Sequence, residues 1–284
     1  MLQLLNQLIF KFINYCYYFY RFLPIRKENK TVLITGASKG IGRELAINFA
    51  KERKTLVLAA RNESLLNILK EELVASYDAK VYVVPFDVTE FDNYNEFLEK
   101  AAHVAGPIDT IVLNAGIGSG HSVGSKGAFD KDLSVLETNL LGPISCINEY
   151  VKYAKLNHIQ DPHVVVITSV AADIARPYKG AYSASKAALS IYVESCALEL
   201  ESEGFWFTNI KPGIIKTEMT TAYGDSIKCS VEYAAKEMMF AIKYRFGSFY
   251  VPVMVYWPLT KVLYRFVPFQ KAVVKWTQGK PKVQ

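Results

Sequence analysis

Tyr182 and Lys186 are the pair of residues whose types and spacing most directly suggest chemistry. Positions four apart lie on the same face of a helix, so this spacing would bring a phenol and an ammonium group together. A tyrosine side chain ordinarily loses its proton at about pH 10, and a neighbouring cation favours the phenolate, which can act as a base. Because the spacing alone is common, its meaning depends on the elements around it.

Six short strands alternate with six helices between residues 31 and 245. We predict strands at 31–35, 55–60, 80–84, 109–113, 163–168 and 205–210, and helices near 41–53, 63–76, 90–105, 129–157, 180–203 and 230–245. Apolar strands separated by helices are typical of a parallel sheet that is buried on both faces. The sequence therefore predicts one α/β domain with a doubly wound parallel sheet at 31–245, between an N-terminal segment at 1–30 and a C-terminal segment at 246–284.

A glycine-rich segment follows the first predicted strand directly and precedes the first helix. Its first two glycines allow a tight turn and the close approach of a pyrophosphate, and its third lets the helix pack against the strand. The N-terminus of that helix would face the phosphates. This position predicts a dinucleotide site of the Rossmann type, formed by Gly36, Ser38, Lys39, Gly40, Ile41 and Gly42.

The end of the second strand bears on which nicotinamide cofactor would bind. A site for NAD usually has Asp or Glu there, about 20 residues after the turn, to bind the ribose 2′-hydroxyl. This chain has Arg61 instead, and Lys39 in the turn supplies a second cation. Two cations can pair with a 2′-phosphate, so the sequence favours NADP(H).

These motifs together resemble the short-chain dehydrogenase/reductase family over about residues 31–220. The turn resembles the family's TGxxxGxG segment, Ser169 stands thirteen residues before Tyr182 as in its catalytic set, and Asn139 occupies the place of its catalytic asparagine. Further matches are the adenine-contacting pair Asp87 and Val88, the NAG motif Asn114, Ala115 and Gly116, and, at the nicotinamide end, Pro212, Gly213, Ile214 and Thr217. The turn together with Arg61 most resembles the membrane-associated, NADPH-using hydroxysteroid dehydrogenase branch.

The resemblance implies hydride transfer between a nicotinamide and a carbonyl or secondary alcohol. Tyr182 would be the acid in reduction and the base in oxidation, Ser169 would bond to the substrate oxygen, and Lys186 would favour the phenolate and hold the nicotinamide ribose. Asn139 would hold a water that feeds protons toward Lys186. A second class of function stays open, in which the protein is an NADP(H)-binding sensor or scaffold at a membrane with negligible turnover.

The resemblance also implies a variable substrate lid at residues 218–240. Its apolar contacts would suit a steroid, sphingoid or fatty-acyl ketone, although these side chains could equally serve only to pack helices. The residues in question are Met219, Tyr223, Met238, Met239 and Phe240. Family members are often homodimers or homotetramers, and the sequence does not fix a number.

The net charge of +6 is unevenly distributed along the chain. Residues 1–30 hold five Lys or Arg and one Glu, residues 238–284 hold eight Lys or Arg and no acid, and residues 31–237 hold 20 basic and 26 acidic side chains. An acidic centre argues against nucleic-acid binding by the domain. Basic, aromatic ends are typical of surfaces that contact anionic lipid headgroups.

Residues 1–23 are mostly apolar, with a polar stripe at helical spacing formed by Gln3, Gln7, Lys11, Asn14, Tyr18 and Arg21. This pattern favours a helix that lies in the membrane interface, while a tilted spanning anchor and a helix packed on protein stay open. If the helix spans, the basic residues from Arg21 to Lys30 favour a cytoplasmic catalytic domain. Segment 249–276 joins aromatic residues with four cations and is interrupted by prolines, so it suits an interfacial segment or a cover over the pocket or a partner.

The cysteines and histidines indicate no metal site. Cys16, Cys146, Cys196 and Cys229 form no CxxC pair, and the four histidines form no cluster. A reducing compartment fits this cysteine usage better than a disulfide framework does.

Overall fold

Seven parallel strands form the centre of the protein in a computed structural model that describes residues 30–118, 120–221, 228–253 and 256. In chain order they are β1 Thr31–Thr35, β2 Thr55–Ala59, β3 Val81–Val83, β4 Thr110–Leu113, β5 His163–Ile167, β6 Trp206–Pro212 and β7 Ser248–Val251. Their order in the sheet is β3-β2-β1-β4-β5-β6-β7. This is the doubly wound sheet that the sequence predicts.

Helices connect the strands and cover both faces of the sheet. They are α1 Gly40–Lys51, α2 Glu63–Tyr77, α3 Tyr94–Ala105, α4 Ala128–Leu136, α5 Gly142–Leu156, α6 Gly180–Leu200 and α7 Val231–Lys243. Side chains of α1, α2 and α7 form the apolar core on one face, and those of α3, α5 and α6 form the core on the other. Because β1, β4 and β5 are buried along their whole length, they read as continuous apolar runs in the sequence.

Local signals in the sequence explain where several helices begin. The side chain of Asn62 accepts a hydrogen bond from the Leu65 amide at the start of α2. Ser230 does the same for the Tyr233 amide at the start of α7. Such caps satisfy amides that have no partner within the helix.

Most predicted elements are observed with bounds shifted by a few residues, and two larger differences remain. The helix predicted at 129–157 is divided into α4 and α5 by a π-helical turn at Glu137–Leu141. In addition, β7 pairs with β6 over four residues and so belongs to the sheet, although the sequence predicts that the domain ends at residue 245 and that these residues belong to the C-terminal segment. An edge strand rich in aromatic and β-branched residues has the same composition as an interfacial segment, which is why composition misassigned it.

The candidate membrane segments fall largely on residues that the structure does not describe. Residues 1–29, 254–255 and 257–284 lie outside the described part of the chain. Among the described helices, none combines the length and the apolar character that crossing a bilayer requires.

Candidate functional site

A cavity of about 820 Å³ lies where the carboxyl ends of β1, β2, β4, β5 and β6 meet. Ligand sites in doubly wound sheets are found at this edge. The cavity is lined by Gly36, Ser38, Lys39, Gly40, Ile41, Arg61, Asp87, Val88, Asn114, Ala115, Gly116, Ser169, Tyr182, Lys186, Pro212, Gly213 and Thr217. The remaining predicted site residues, Gly42, Asn139 and Ile214, pack behind this lining, and Ile215 faces the cavity in place of Ile214.

The glycine turn is held against the end of β4 by a compact set of hydrogen bonds. The Thr35 hydroxyl accepts from the Asn114 and Ala115 amides at 3.1 and 3.2 Å, and the Asn114 side chain donates to the carbonyls of Thr35 and Gly36, both at 3.1 Å. Gly36 has φ +63°, and a Cβ there would lie 2.8 Å from Ala115 Cα. The turn and the NAG segment therefore form one packed unit that only glycine permits at this position.

The first turn of α1 also packs closely, against the glycine turn and against the segment after β6. A Cβ on Gly42 would meet the Gly36 carbonyl oxygen, so this glycine lets α1 pack onto the turn. Across the cavity, the Thr217 methyl lies 3.3 Å from where a Cβ on Gly40 would stand. The glycine turn and the segment after β6 thus approach each other over the helix N-terminus, where backbone amides favour an anion.

Both predicted cations face the cavity, and each has a carboxylate nearby. The Lys39 ammonium group lies 2.9 Å from Glu218, and the Arg61 guanidinium lies 3.7 Å from Asp87. The other Asp87 oxygen accepts from the amide and hydroxyl of Thr89, which fixes the carboxylate. The Lys39 and Arg61 side chains are 55% and 75% exposed, so both can turn toward an anionic ligand.

Ser169 follows β5 and lies at the wall of the cavity with its hydroxyl oriented by the backbone. Its oxygen accepts from the Ala171 amide at 3.1 Å, and its hydroxyl donates to the Pro212 carbonyl at 3.4 Å. Ser169 is extended and caps the short 3₁₀ turn at Val170–Ala172. The end of β6 and this turn together decide where the hydroxyl points.

Tyr182 and Lys186 lie in the first turns of α6 and both line the cavity. The Lys186 ammonium group is buried and donates to the Ile167 carbonyl at 2.9 Å, which ties α6 to the end of β5. Burial lowers the pKa of Lys186 from 10.5 to about 8, because the charged form loses hydration. Tyr182 and Lys186 therefore meet in one cavity, as their spacing predicts, and Ser169, which the family resemblance implies, lines the same cavity.

Asn139 lies in the π-helical turn, fully buried behind Gly116. Its side-chain amide accepts from the Ile117 amide at 2.8 Å and donates to the Ile117 carbonyl at 2.9 Å. A Cβ on Gly116 would be 3.1 Å from the Asn139 oxygen and 3.6 Å from the Lys186 ammonium nitrogen. The Asn139 side chain thus fixes the segment after β4 beside Lys186, and the water contact stays a prediction.

The end of β7 and the segment after it contact the part of the cavity wall that follows β6. The Gly213 amide donates to the Val251 carbonyl at 2.8 Å, and the Ile214 amide donates to the Tyr256 hydroxyl at 3.2 Å. The Tyr256 ring lies where a Cβ on Gly213 would stand. At the start of segment 249–276, β7 therefore completes the sheet, and Tyr256 packs behind Gly213 without lining the cavity. Most of the segment lies outside the described residues, so its expected contact with a membrane, the pocket or a partner stays a prediction.

The predicted lid residues lie in different parts of the structure. Met219 lines the cavity and is 52% exposed, whereas Met238 and Met239 are buried in the core under α7, and Phe240 packs against that core. For these three, the expectation of substrate contact was wrong, because they fall on the apolar face of a helix that packs on the sheet. Tyr223 lies outside the described residues.

Several cavity residues were not among the predicted ones. Ile215 would have been found from its position beside the Pro-Gly pair. Thr35, which lies behind the lining and holds the Asn114 amide, would have been found from its position at a strand end. Glu218 is 179 residues from Lys39 in the chain, so only the fold brings the two charges together. Within the described ranges, no group of three or more His, Cys, Asp or Glu could hold a metal ion.

Comparison with protein families gives a match over most of the described chain. The model described as short chain dehydrogenase matches residues 30–228. An uncharacterized oxidoreductase of Mycobacterium tuberculosis is 33% identical over 241 residues, which cover 84% of this chain and 94% of that protein. The 11-beta-hydroxysteroid dehydrogenase-like 3 protein of Arabidopsis thaliana is 33% identical over 231 residues, 76% of this chain and 72% of its own.

Solved structures share the fold. An alcohol dehydrogenase from the archaeon Thermococcus sibiricus, complexed with 5-hydroxy-NADP, superposes with a TM-score of 0.70. The alignment covers 78% of this chain and 95% of that chain at 24% identity. The parallel sheet and its flanking helices are thus common to both proteins.

The buried charge of Lys186 gives a pH-dependent effect on stability. Between about pH 8 and 10.5 the unfolded chain binds more protons at this residue than the native one, so wild-type stability from this group rises with pH. We therefore expect the free energy of unfolding of wild type to rise, relative to that of Lys186→Met, by roughly 3 kcal/mol between about pH 7 and pH 11, since a shift of one pKa unit is about 1.4 kcal/mol. Urea denaturation across this range measures it.

Lys131→Met is the matched control, since Lys131 is exposed on α4. It reports how the loss of a surface lysine outside the cavity affects unfolding over the same pH range. A Lys186→Met difference that changes with pH no more than the Lys131→Met difference does would show that Lys186 keeps its ordinary pKa in the native protein.

Proposed function

The chain belongs to the short-chain dehydrogenase family, and on that premise we propose that it is an NADP(H)-dependent oxidoreductase that interconverts a carbonyl group and a secondary alcohol on a lipophilic substrate. The observation that supports this most directly is the common cavity. It brings Ser169, Tyr182 and Lys186 together with the glycine turn and the cations Lys39 and Arg61.

The residues present fit a nicotinamide dinucleotide. The start of α1 has no side-chain cap and lines the cavity beside the glycine turn, so its backbone amides can bind a pyrophosphate. Lys39 and Arg61 provide two cations for a 2′-phosphate, and both can exchange their present carboxylate neighbours for it. When bound, the reduced cofactor supplies the hydride. The segment from Pro212 to Thr217 would hold its nicotinamide end.

The protein's own groups handle the proton and the charge on the substrate oxygen. As a carbonyl carbon gains hydride, its oxygen becomes an alkoxide. The Ser169 hydroxyl can turn its proton from the Pro212 carbonyl to that oxygen, while its own oxygen keeps the hydrogen bond from the Ala171 amide. Tyr182 gives its phenolic proton to that oxygen, which completes the alcohol. The nearby Lys186 cation stabilises the resulting phenolate. In the oxidative direction the phenolate accepts the proton.

Protonation of Lys186 links this step to pH. With a pKa of about 8, most Lys186 is charged at neutral pH and can favour the Tyr182 phenolate. The same group can return a proton to Tyr182 more readily than a lysine with an ordinary pKa. Low desolvated pKa values of this kind are typical of groups that exchange protons during a reaction.

We propose a steroid, sphingoid or fatty-acyl carbonyl as the substrate class. Apolar side chains of Ile117 and Met219 line the same cavity as Tyr182, and Met219 is half exposed. The Arabidopsis relative is named for its likeness to a hydroxysteroid dehydrogenase, which supports the steroid member of this class.

We also propose that the enzyme acts at a membrane surface. The support is in the sequence, where basic and aromatic residues are concentrated in 1–30 and 246–284 while the domain between them is acidic. An apolar helix with a cationic stripe binds anionic lipid through both buried apolar area and charge. A lipophilic substrate would reach the cavity from the same surface.

Replacing Tyr182 by Phe tests the reaction. We expect turnover to fall by about 10³-fold, since a positioned acid or base contributes about 10²–10⁴. NADPH consumption is measured with a panel of steroid, sphingoid and fatty-acyl ketones. Tyr192→Phe on the same helix is the control and should keep its activity. Turnover that survives Tyr182→Phe removes this residue from its role, and NADPH binding by wild type without any turnover favours a sensor.

Arg61→Ala tests the cofactor preference. We expect NADPH to bind about tenfold or more weakly, because a hydrogen bond to a charged group contributes about 1.5–3 kcal/mol. NADH affinity should be unchanged, since it lacks the 2′-phosphate. Titration calorimetry with both cofactors measures the effect, and Arg53→Ala, at an exposed position before β2, is the control. Equal losses for NADPH and NADH would contradict a 2′-phosphate contact.

Removing residues 1–24 tests the membrane proposal. We expect the shortened protein to lose most of its binding to vesicles that contain anionic lipid, as measured by co-sedimentation. Intact protein should bind these vesicles more strongly than neutral ones, and added salt should weaken that binding. If the shortened protein binds as before, residues 1–24 are not the main anchor.

A further inference from the structure

A buried charged cluster lies beside the catalytic serine, outside the cavity. It consists of Asp173, Lys211 and Tyr250, and we call it the Lys211 cluster. The Lys211 ammonium group is 3.4 Å from both Asp173 oxygens and lies over the Tyr250 ring at 5.5 Å from its centre. The Tyr250 hydroxyl donates to Asp173 at 2.9 Å. Lys211 is only 3% exposed.

The cluster joins elements that are distant in the sequence. Lys211 and Tyr250 are paired neighbours on β6 and β7, and Asp173 directly follows the 3₁₀ turn that Ser169 caps. The Lys211 ammonium group is also 3.8 Å from Glu194 on α6. The helix with Tyr182 and Lys186 is thus tied to the same charge.

A second chain of buried hydrogen bonds reaches the residue before Ser169. Glu194 accepts from the Ser190 hydroxyl at 3.3 Å, and Ser190 in turn accepts from the Asn209 side chain at 2.9 Å. The Thr168 hydroxyl donates to Asn209 at 2.6 Å. The network therefore holds Thr168 and Asp173, which stand on the two sides of the serine turn.

We propose that Asp173, Lys211 and Tyr250 are positioning residues that fix the Ser169 hydroxyl for catalysis. The inference rests on the proposed function in one respect, which is the role of Ser169 toward the substrate oxygen. Both groups that orient this hydroxyl adjoin the cluster, since the Ala171 amide is in the turn before Asp173 and the Pro212 carbonyl follows Lys211. Movement of either end of the turn would change the direction of the hydroxyl.

The chemistry of the cluster suits this task. A charge pair in a buried site is held in one geometry when further hydrogen bonds satisfy its atoms, and it does little for net stability. Donors that stabilise an oxyanion must be aligned before the reaction, and small misplacements reduce rates strongly. A cluster that constrains the turn without touching the cavity meets this requirement.

Tyr250→Phe is the variant that disturbs the cluster least. It removes the hydrogen bond to Asp173 and keeps the ring beneath the Lys211 ammonium group. We expect kcat for ketone reduction to fall by about tenfold with little change in KM, because the lost alignment matters mainly in the transition state. Asp173→Asn should act in the same direction. Tyr192→Phe, which loses a bond to Asn148 away from the cluster, is the matched control and should change neither constant.

Measuring the same change in a Ser169→Ala background separates positioning from a general structural effect. If Tyr250 acts through the serine, Tyr250→Phe should then lower kcat by less than about twofold. An unchanged tenfold loss in that background would overturn the proposal, as would full activity of Tyr250→Phe in the wild-type background.

Amide hydrogen exchange of the segment around 169–173 provides a test that needs no turnover. We expect about tenfold faster exchange in Tyr250→Phe than in Tyr192→Phe, since the turn is less constrained. Unchanged exchange would overturn the positioning proposal whatever the activity. Faster exchange in a protein that does not consume NADPH would instead leave the positioning of Ser169 supported and reject the proposed function.

Discussion

Four hydrogen bonds between the ends of β1 and β4 determine where the cavity can form. The Thr35 hydroxyl holds two consecutive amides of the NAG segment, and the Asn114 side chain returns two bonds to the carbonyls before and within the glycine turn. These buried groups would otherwise lack partners. Because they fix the turn within contact distance of Ala115, the start of α1 and the segment after β4 cannot move independently.

The proposed catalytic groups, on the other side of the cavity, also depend on this arrangement. Gly116 continues from the NAG segment and lies between the Asn139 side chain and the Lys186 ammonium group. Lys186 is bound to the last residue of β5, so α6 is placed relative to the sheet by a buried cation. Ser169 is oriented by backbone from its own turn and from β6. Polar contacts to backbone therefore hold a site whose surrounding core is apolar.

Much of the fold and of the site could be predicted from the sequence, because the hydrophobic pattern of single elements agrees with the residue types at their ends. β1 has the predicted bounds, since a continuous apolar run ends at a glycine turn. The spacing of Tyr182 and Lys186 is set within one helix, so the sequence alone places them together. Ser169 is expected from the family resemblance, and the structure brings it to the same cavity. Lys39 and Arg61 follow the ends of β1 and β2, which are neighbouring strands, so the sequence also places these two cations at one edge of the sheet.

What could not be predicted depends on contacts between distant parts of the chain. The pairing of Lys39 with Glu218 arises only when the glycine turn and the segment after β6 meet. The π-helical turn at Glu137–Leu141 has no pattern of its own and is set by the burial of Asn139. Met238 looks the same in sequence whether it faces a ligand or the core, and the packing of α7 decided the matter.

The position of β7 determines how the protein can be shortened. β6 has seven residues, six of them buried, and β7 covers its outer edge through four paired positions. A chain that stopped at residue 245 would leave the unpaired backbone groups of an apolar strand open to solvent, and such an edge invites intermolecular strand pairing and aggregation. Pro252, which has no amide hydrogen to donate, immediately follows β7. A truncation intended to free the domain from its basic tail should therefore keep the chain through Val253.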